Sequence, residues 1–288
     1  MSIEAGQSGS VQGTGSTVAQ TGTVGQMDVT GVQGSSNAAT ALRAVDLTLS
    51  FGPRAVLSNI SLEVQHGVVT ALLGPTGSGK TTLLRTFNRM NDKVTGYRHA
   101  GDVLLDGRSI WHPGVELMSL RRKVGMLFQR PNPFPMSIMD NVVAGARAHR
   151  LANRHGLREI ARHRLAEVGL WDAVGDRLKD SPFRLSGGQQ QLLCLARALA
   201  IEPEILLLDE PTSSLDPNAT ESIEALIRTL VPRLTVVIVT HNLAQARRVS
   251  DRTVFLNQGR LVEHGETKQV FENPAEEETA HYVGGRFG

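Results

Sequence analysis

The spacing of apolar and polar residues predicts two half-buried strands near the start of the folded part of the chain. Apolar residues occupy every second position in 45–49, with polar residues between them, and the same alternation returns in 60–64. A period of two places one face of a strand against the core and the other toward solvent. We therefore expect the folded part to begin near Ala41 with these two strands, and Phe51 to lie between them.

Further along, mostly apolar runs replace the alternation and are separated by segments with helical periodicity. Short apolar runs are typical of strands that are buried on both faces, as in a parallel sheet. Alternating strands and helices predict an α/β protein with a parallel core. The strand-like runs are 68–73, 102–105, 124–128, 205–208 and 235–239, and the helical segments are 82–88, 138–168, 188–200, 218–230 and 243–249.

The helical segment 138–168 carries a cluster of arginine and histidine. We interpret this cluster as a solvated helix face, with nucleic-acid binding as the alternative. The formal net charge of only +2 gives no support to nucleic acid as a partner. The members of the cluster are Arg147, His149, Arg150, Arg154, His155, Arg162, His163 and Arg164.

Residues 1–40 differ in composition from the rest of the chain. They consist mainly of glycine, serine, threonine, glutamine, valine and alanine, and they contain no lysine or arginine. The segment therefore lacks the basic start of a signal peptide, and it has no continuous apolar core either. We predict that 1–40 is a flexible, low-complexity tail.

The remaining composition limits the compartment and the relation to membranes. The single cysteine, Cys194, excludes an internal disulfide and fits a reducing compartment. It lies in an apolar helical run, so we expect a buried thiol. No uninterrupted apolar stretch approaches the ~18 residues of a membrane span. Any membrane association is therefore expected to be peripheral.

A glycine-rich motif follows the apolar run 68–73. It reads GxxxxGK[ST], the pattern of a phosphate-binding P-loop between a strand and a helix. Its glycines let backbone N–H groups turn around phosphate oxygens, and the following helix adds partial positive charge. Lys80 is expected to reach the β- and γ-phosphates, and the Thr81 hydroxyl to bind Mg²⁺. The motif consists of Gly74, Pro75, Thr76, Gly77, Ser78, Gly79, Lys80 and Thr81.

Polar residues suited to phosphoryl transfer come at or just after the ends of other predicted strands. Gln129, Asp209, Glu210 and His241 all occupy such positions. Parallel strands place their carboxyl ends at one edge of a sheet, where ligands bind, so these side chains should meet Lys80 there. Asp209 suits a Mg²⁺ shell, Glu210 can activate the attacking water, and His241 can donate a hydrogen bond to the γ-phosphate.

A second glycine-rich segment, 185–189, stands at the start of another predicted helix. The N–H groups at a helix N-terminus form a potential anion site. One P-loop and one further anion-binding surface in the same chain predict shared sites. In a head-to-tail pair, this segment of one chain would cover the γ-phosphate held by the P-loop of the other.

Together, these motifs resemble the ATP-binding subunits of ABC transporters, from about Ala41 to the C-terminus. The P-loop resembles the Walker A motif of that family. The other matching positions are Gln129 for the Q-loop, 185–189 for the signature, 205–210 for Walker B, 213–216 for the D-loop and His241 for the H-loop.

The resemblance implies ATP and Mg²⁺ as ligands and a role for each matching position. Glu210, His241 and Gln129 would act in catalysis. Thr81, Gln129 and Asp209 would hold Mg²⁺. Phe51 would stack on adenine. The remaining ATP-binding positions are the P-loop residues named above together with Thr82, Ser186, Gly187, Gly188, Gln189 and Asp216.

A narrower resemblance is to the ATPase subunits of phosphate-specific (Pst) importers, especially actinobacterial members. It rests on the stretches 88–92, 128–138 and 285–288. It implies a homodimer that forms on ATP binding, beneath two permease subunits at the cytoplasmic face of the cell membrane. An extracytoplasmic phosphate-binding protein would deliver the solute. Two features depart from this family: the long tail, and Leu192 where these proteins commonly have arginine.

The implied fold over 41–288 is an α/β, ABC-type P-loop ATPase. It would combine a mixed, parallel-core sheet with an antiparallel β subdomain and a helical subdomain over about 130–185, whose turn 131–135 would contact the permeases. An ABC importer for a different solute is an alternative, because no residue here contacts the solute. A soluble DNA- or ribosome-associated ABC ATPase is another, but the chain has neither the long coiled coil nor the second cassette of that class.

Overall fold

Two β-sheets organise residues 39–286, the part of the chain that the computed structural model describes. The predicted tail 1–40 lies outside these residues except for its last two positions. Thr40 already belongs to the first strand, one residue earlier than the expected start at Ala41. The last two residues, 287 and 288, also lie outside the described range.

The larger sheet has six strands in the order β10-β9-β3-β8-β7-β6. All neighbours pair in parallel except β10, which pairs antiparallel with β9. Every residue of β3, β7 and β8 is buried, as expected for strands covered on both faces. The strands are β3 Val69–Leu73, β6 Val124–Leu127, β7 Ile205–Asp209, β8 Thr235–Val239, β9 Arg252–Asn257 and β10 Arg260–Glu266.

The smaller sheet is antiparallel and contains both strands predicted from alternation. Its order is β2-β1-β4-β5. One face of β1 and β2 packs on the core, because apolar and polar positions alternate in their buried stretches. The strands are β1 Thr40–Phe51, β2 Arg54–Gln65, β4 Tyr97–Leu105 and β5 Arg108–Ser109.

Ten α-helices lie within the described residues. The predicted helical segments 218–230 and 243–249 correspond closely to α7 and α8, whereas α2, α5, α9 and α10 had no counterpart among the predicted helical segments. The helices are α1 Lys80–Thr86, α2 Leu117–Lys123, α3 Ile138–Ala148, α4 Arg154–Glu167, α5 Trp171–Val174, α6 Gly187–Leu199, α7 Pro217–Leu230, α8 Leu243–Val249, α9 Thr267–Glu272 and α10 Glu277–Val283.

The helical segment 138–168 is two helices rather than one. Arg150, just after α3, takes a left-handed conformation with φ 55°. The Asn153 side chain then accepts a hydrogen bond from the backbone N–H of Gly156 and caps α4. A left-handed residue ends one helix and an asparagine cap begins the next, which allows α3 and α4 each to pack against α6.

The interpretation of the arginine and histidine cluster as a solvated face is wrong for Arg164. This side chain is buried and donates to Glu167 Oε2 at 2.8 Å and to Glu202 Oε1 at 3.0 Å. Arg233 pairs with Glu167 as well. Burial alone would raise the pKa of Glu167, but the hydrogen bonds from Arg233 and Arg164 together lower it. The buried arginine is therefore tolerated because two carboxylates neutralise it.

The largest apolar cluster lies between the six-stranded sheet and helices α3, α4, α6 and α7. Cys194 on α6 belongs to it and is buried, and burial raises the pKa of its thiol. Leu192 on the same helix is only partly buried and packs against the edge of the cluster. None of the helices in the described residues is long and apolar enough to cross a membrane.

Candidate active site

The P-loop runs from the end of β3 to the start of α1, and two of its glycines are sterically required. Gly74 has φ 144°, and a Cβ at this position would lie 2.0 Å from the carbonyl oxygen of Leu256. Gly79 is the N-cap residue of α1 with φ 97°, and a Cβ there would meet Leu57 at 2.4 Å. A side chain at either position would displace the neighbouring strand segment or strain the loop.

Lys80 is buried beneath this loop. Its ammonium group donates to the carbonyl oxygens of Gly74 at 2.7 Å and Pro75 at 2.8 Å. Burial lowers the pKa of Lys80, and the charges of Glu210 and Asp209 partly oppose that effect. A phosphate group in the loop would add negative charge and favour the charged form of the lysine. The site is therefore arranged to bind an anion.

On one side of the strand end, Asp209 meets two side chains of α1. Asp209 is 2% exposed. Its Oδ1 accepts from the Thr81 hydroxyl at 2.8 Å, and its Oδ2 accepts from Arg85 Nη2 at 3.1 Å. The sequence analysis did not identify Arg85. Its position four residues after Thr81, one helical turn along α1, could have indicated that both face the same carboxylate.

On the other side, Glu210 meets Gln129 and His241. Gln129 Nε2 donates to Glu210 Oε2 at 2.9 Å, and His241 Nδ1 lies 3.2 Å from the same oxygen. Glu210 has φ 46°, a left-handed conformation that is uncommon for this residue type. The His241 side chain is 65% exposed. The expected strand-end residues thus form two neighbouring groups: Asp209 contacts Thr81, and Glu210 contacts Gln129 and His241.

The donor set at this edge fits a hard cation. Thr81 offers a hydroxyl oxygen, Asp209 a carboxylate oxygen and Gln129 an amide oxygen, and hard cations prefer such ligands. Within residues 39–286, no group of three or more histidine, cysteine, aspartate or glutamate residues could hold a metal ion by itself. Mg²⁺ usually takes few protein ligands and completes its shell with water and phosphate oxygens, so this sparse set suits it.

The second glycine-rich segment lies at the start of α6, beside α7. Ser186 and Gln189 form a capping box, in which each side chain accepts a hydrogen bond from the backbone N–H of the other. A Cβ on Gly188 would lie 3.1 Å from the Cβ of Ala219 on α7. Asp216 caps α7 by accepting from the N–H of Ala219 at 3.0 Å. This segment has no hydrogen bond to the P-loop among the described residues.

Phe51 is the last residue of β1 and lies opposite Tyr97 of β4. Their ring centroids are 5.8 Å apart with the planes tilted by 43°. Tyr97 is also 5.9 Å from the ring of His99. Burial is the largest cause that raises the pKa of Tyr97 to about 12. Phe51 is therefore the end of an aromatic row that continues through Tyr97 and His99 of β4 to Trp111, which stacks on His99 at 3.8 Å; sequence reasoning missed this row.

Comparison with known proteins identifies the family to which the chain belongs. Residues 57–213 match the family model described as ABC transporter. The phosphate import ATP-binding protein PstB of Mycobacterium intracellulare is 68% identical over 241 residues, 84% of each chain. The chain belongs to the ABC transporter family. Other relatives in the family are PstB 2 of Mycobacterium tuberculosis H37Rv, 65% identical over 87% of this chain and 91% of that protein, and PstB 1 of Vibrio cholerae, 52% identical over 86% and 91%.

Solved structures of ABC transporter proteins share the fold. The cbiO1 protein from Clostridium perfringens, part of the ABC transporter complex cbiONQ, aligns with a TM-score of 0.70 at 29% identity over 86% of this chain and 96% of that one. A bacterial Atm1-family ABC exporter with ATP bound aligns with a TM-score of 0.72 at 27% identity, over 88% and 42%. The predicted family and fold class are confirmed, and the chain is an ATP-binding ABC protein. The roles of individual residues stay predictions.

Proposed function

We propose that this chain is the ATP-hydrolysing subunit of an ABC importer that takes up inorganic phosphate. The observation that carries the proposal is the cluster at the carboxyl edge of the large sheet, where Lys80, Asp209 and Glu210 converge with Gln129 and His241. The choice of phosphate as solute is supported by the names of the relatives, which are phosphate import proteins at 52–68% identity.

In this proposal ATP binds along the P-loop with its adenine stacked on Phe51. The backbone N–H groups of 76–82 surround the phosphates, and Lys80 exchanges its two loop carbonyls for phosphate oxygens. Thr81, Asp209 and Gln129 would hold Mg²⁺. When bound, Mg²⁺ supplies charge neutralisation at the β- and γ-phosphate oxygens.

Hydrolysis then depends on Glu210 and the two side chains in contact with it, Gln129 and His241. Glu210 accepts a proton from the attacking water as general base. Gln129 donates to Glu210 Oε2 and fixes the orientation of the carboxylate. His241 lies at the same oxygen and is exposed enough to reach a bound γ-phosphate. Glu210, the general base, is therefore in direct contact with His241, the hydrogen-bond donor to the γ-phosphate.

We propose further that the active form is a homodimer that assembles on ATP. The capping box of Ser186 and Gln189, with Gly187 and Gly188, would cover the γ-phosphate held by the partner's P-loop. Asp216 lies at the start of α7, next to this segment, and would line the same interface. Each nucleotide would then join two chains.

The permeases would bind the helical subdomain, predicted over about 130–185. The turn 131–135 exposes Phe134, and Met136 lies exposed directly after it. Such apolar side chains at a proline-rich turn suit a docking surface for the two membrane subunits. The chain would thus lie at the cytoplasmic face of the cell membrane, while an extracytoplasmic phosphate-binding protein delivers the solute to the permeases.

Reconstitution with the two permeases and the binding protein in vesicles tests this function. Wild type should take up labelled phosphate in an ATP-dependent manner and should not take up sulfate. Glu210→Gln keeps the size of the side chain but removes the base, so ATP should still bind while turnover falls by about 10²-fold or more. Near-normal turnover of Glu210→Gln would remove Glu210 from the mechanism, and uptake of another solute instead of phosphate would identify a different importer.

A further inference from the structure

A buried glutamine connects the two catalytic loops. Gln191 on α6 is 1% exposed. Its side-chain amide Nε2 donates to the carbonyl oxygen of Phe128 at 3.0 Å and to that of Pro211 at 3.2 Å. Phe128 immediately precedes Gln129, and Pro211 immediately follows Glu210. One amide group therefore fixes the separation between the backbones that carry Gln129 and Glu210.

The contact of Gln191 with Pro211 lies next to Glu210, whose backbone conformation is uncommon. Glu210 is held in the left-handed region with φ 46°, and its N–H donates to the carbonyl oxygen of Val239 at 2.9 Å. The Gln129–Glu210 hydrogen bond of 2.9 Å requires that the two loops keep their relative position. A displacement of about 1 Å is enough to cost 10²-fold in rate when a reaction depends on alignment.

The same helix presents the signature segment. The signature residues Gly187 and Gly188 begin α6, and Gln191 follows one turn later. Any shift of α6 that accompanies contact with a partner's nucleotide is thus transmitted through the Gln191 amide to the chain's own catalytic loops. The Oε1 atom of Gln191 is buried and has no hydrogen-bond partner among the described residues. The contacts to the loops are therefore made through the nitrogen alone.

We propose that Gln191 is a positioning residue that aligns Gln129 with Glu210 and links the two ATP sites of the dimer through α6. The inference rests on the proposed function, because it assumes that Glu210 acts in hydrolysis and that the signature contacts the partner's ATP. It adds a residue outside the motifs that the sequence analysis singled out.

A second buried glutamine provides a matched control. Gln245 on α8 is also 1% exposed. Its amide Nε2 donates to Thr212 Oγ1 at 2.8 Å and to Glu224 Oε1 at 3.1 Å. Gln245 therefore supports the loop after Glu210 from the opposite side. Its hydrogen bonds reach neither the Phe128 carbonyl nor α6, so its loss should affect stability without affecting the link.

The experiment measures ATPase activity of the reconstituted importer with Gln191→Met, Gln191→Leu and Gln245→Met. Met keeps the volume of glutamine and removes the donor, and Leu removes the donor with a slightly smaller apolar side chain. For both Gln191 variants we expect kcat to fall about 10- to 100-fold, the Kd for ATP to stay within about threefold of wild type because the P-loop is untouched, and the Hill coefficient for ATP to fall toward one. Gln245→Met should lower the melting temperature but keep the wild-type Hill coefficient.

The outcomes separate this inference from the proposed function. If wild type hydrolyses ATP, and the Gln191 variants lose only thermal stability while kcat and cooperativity stay as in wild type, the positioning role is wrong. If Gln191→Met does not fold, Gln191→Leu gives the same comparison, with nucleotide binding as the test of folding. A wild-type complex without ATP-dependent phosphate uptake would instead overturn the proposed function itself.

Discussion

The P-loop and the signature segment are both glycine-rich and both begin a helix, yet they are built differently. The P-loop ends in Gly79, a left-handed N-cap residue without a side-chain capping bond. The signature begins with Ser186, whose side chain closes a capping box with Gln189. The first turn of α1 thus keeps its N–H groups for a ligand, whereas α6 satisfies part of its own.

The two segments also differ in charge. Lys80 lies buried under the P-loop, with its pKa lowered by burial, while 185–189 contains no charged side chain. This contrast fits the proposal that the P-loop binds phosphate by itself and that the signature segment meets a phosphate that another chain already holds. In that proposal the P-loop is the primary site and the signature segment 185–189 is the accessory surface, although their sequences are similarly rich in glycine.

The largest expected effect comes from removing the charge of the primary site. Lys80→Ala should lower ATP affinity by about 10²-fold or more, because charge-assisted hydrogen bonds contribute about 1.5–3 kcal/mol each. Isothermal titration with ATP measures the change. Since Lys80 also satisfies the Gly74 and Pro75 carbonyls, a melting curve must accompany the titration. Micromolar affinity retained by the variant would show that this loop is not the ATP site.

A substitution in the accessory surface should leave ATP binding intact and prevent dimerisation of the chain. Ser186 is exposed, so Ser186→Arg introduces a large side chain on the surface that is expected to meet the partner's nucleotide. In a Glu210→Gln background with ATP, light scattering should give a dimer mass without Ser186→Arg and a monomer mass with it. ATP titration of the monomer should be unchanged. A dimer that forms equally well in both variants would contradict the shared-site model.

A smaller effect concerns the capping box alone. Ser186→Ala removes the cap of α6 and should cost about 1 kcal/mol, which corresponds to about 2–4 °C in melting temperature for a domain of this size. Ser181 is the matched control, because it precedes a 3-10 turn without making a side-chain capping bond. Ser181→Ala should leave the melting temperature unchanged. Equal shifts for the two serines would mean that the box adds nothing to α6.

The smallest effect is expected at Leu192, one turn into α6 from the signature. Leu192 is only partly buried, so Leu192→Arg can extend its charged end to solvent, and both stability and ATPase activity should change little. Leu193→Arg, at a fully buried neighbour, should unfold the protein or destabilise it strongly. Melting temperature and turnover of the reconstituted complex measure both. If the wild-type complex is inactive and Leu192→Arg restores its turnover, this chain is instead a degenerate copy of a transporter ATPase.

What could be predicted from the sequence follows from local rules. Gln129, Glu210 and His241 were expected to meet because the carboxyl ends of parallel strands share one edge of a sheet, and their side chains are in contact there. The periodicity of 218–230 and 243–249 likewise located α7 and α8. These features depend on residues close in sequence and on one topological rule.

What could not be predicted depends on segments far apart in the chain. Arg164 was assigned to a solvated face because helix periodicity reveals its neighbour Glu167 but not its second partner, Glu202, 38 residues later. Tyr97 joins Phe51 only through the pairing of β1 with β4. In the sequence, Gln191 is indistinguishable from its neighbours in the predicted helix, because its contacts with the carbonyl groups of Phe128 and Pro211 join distant segments. Pairings of this kind are set by packing, which a single sequence does not encode locally.

Cys194 has a consequence for spectroscopy. It is the only cysteine in the chain, it is buried in the core, and burial raises the pKa of its thiol, so it reacts slowly with thiol-directed reagents. A cysteine introduced on the exposed signature surface would therefore take a spin or fluorescent label selectively, without first removing the native one. Two such labels across a dimer would report the opening and closing of the nucleotide sites as a distance.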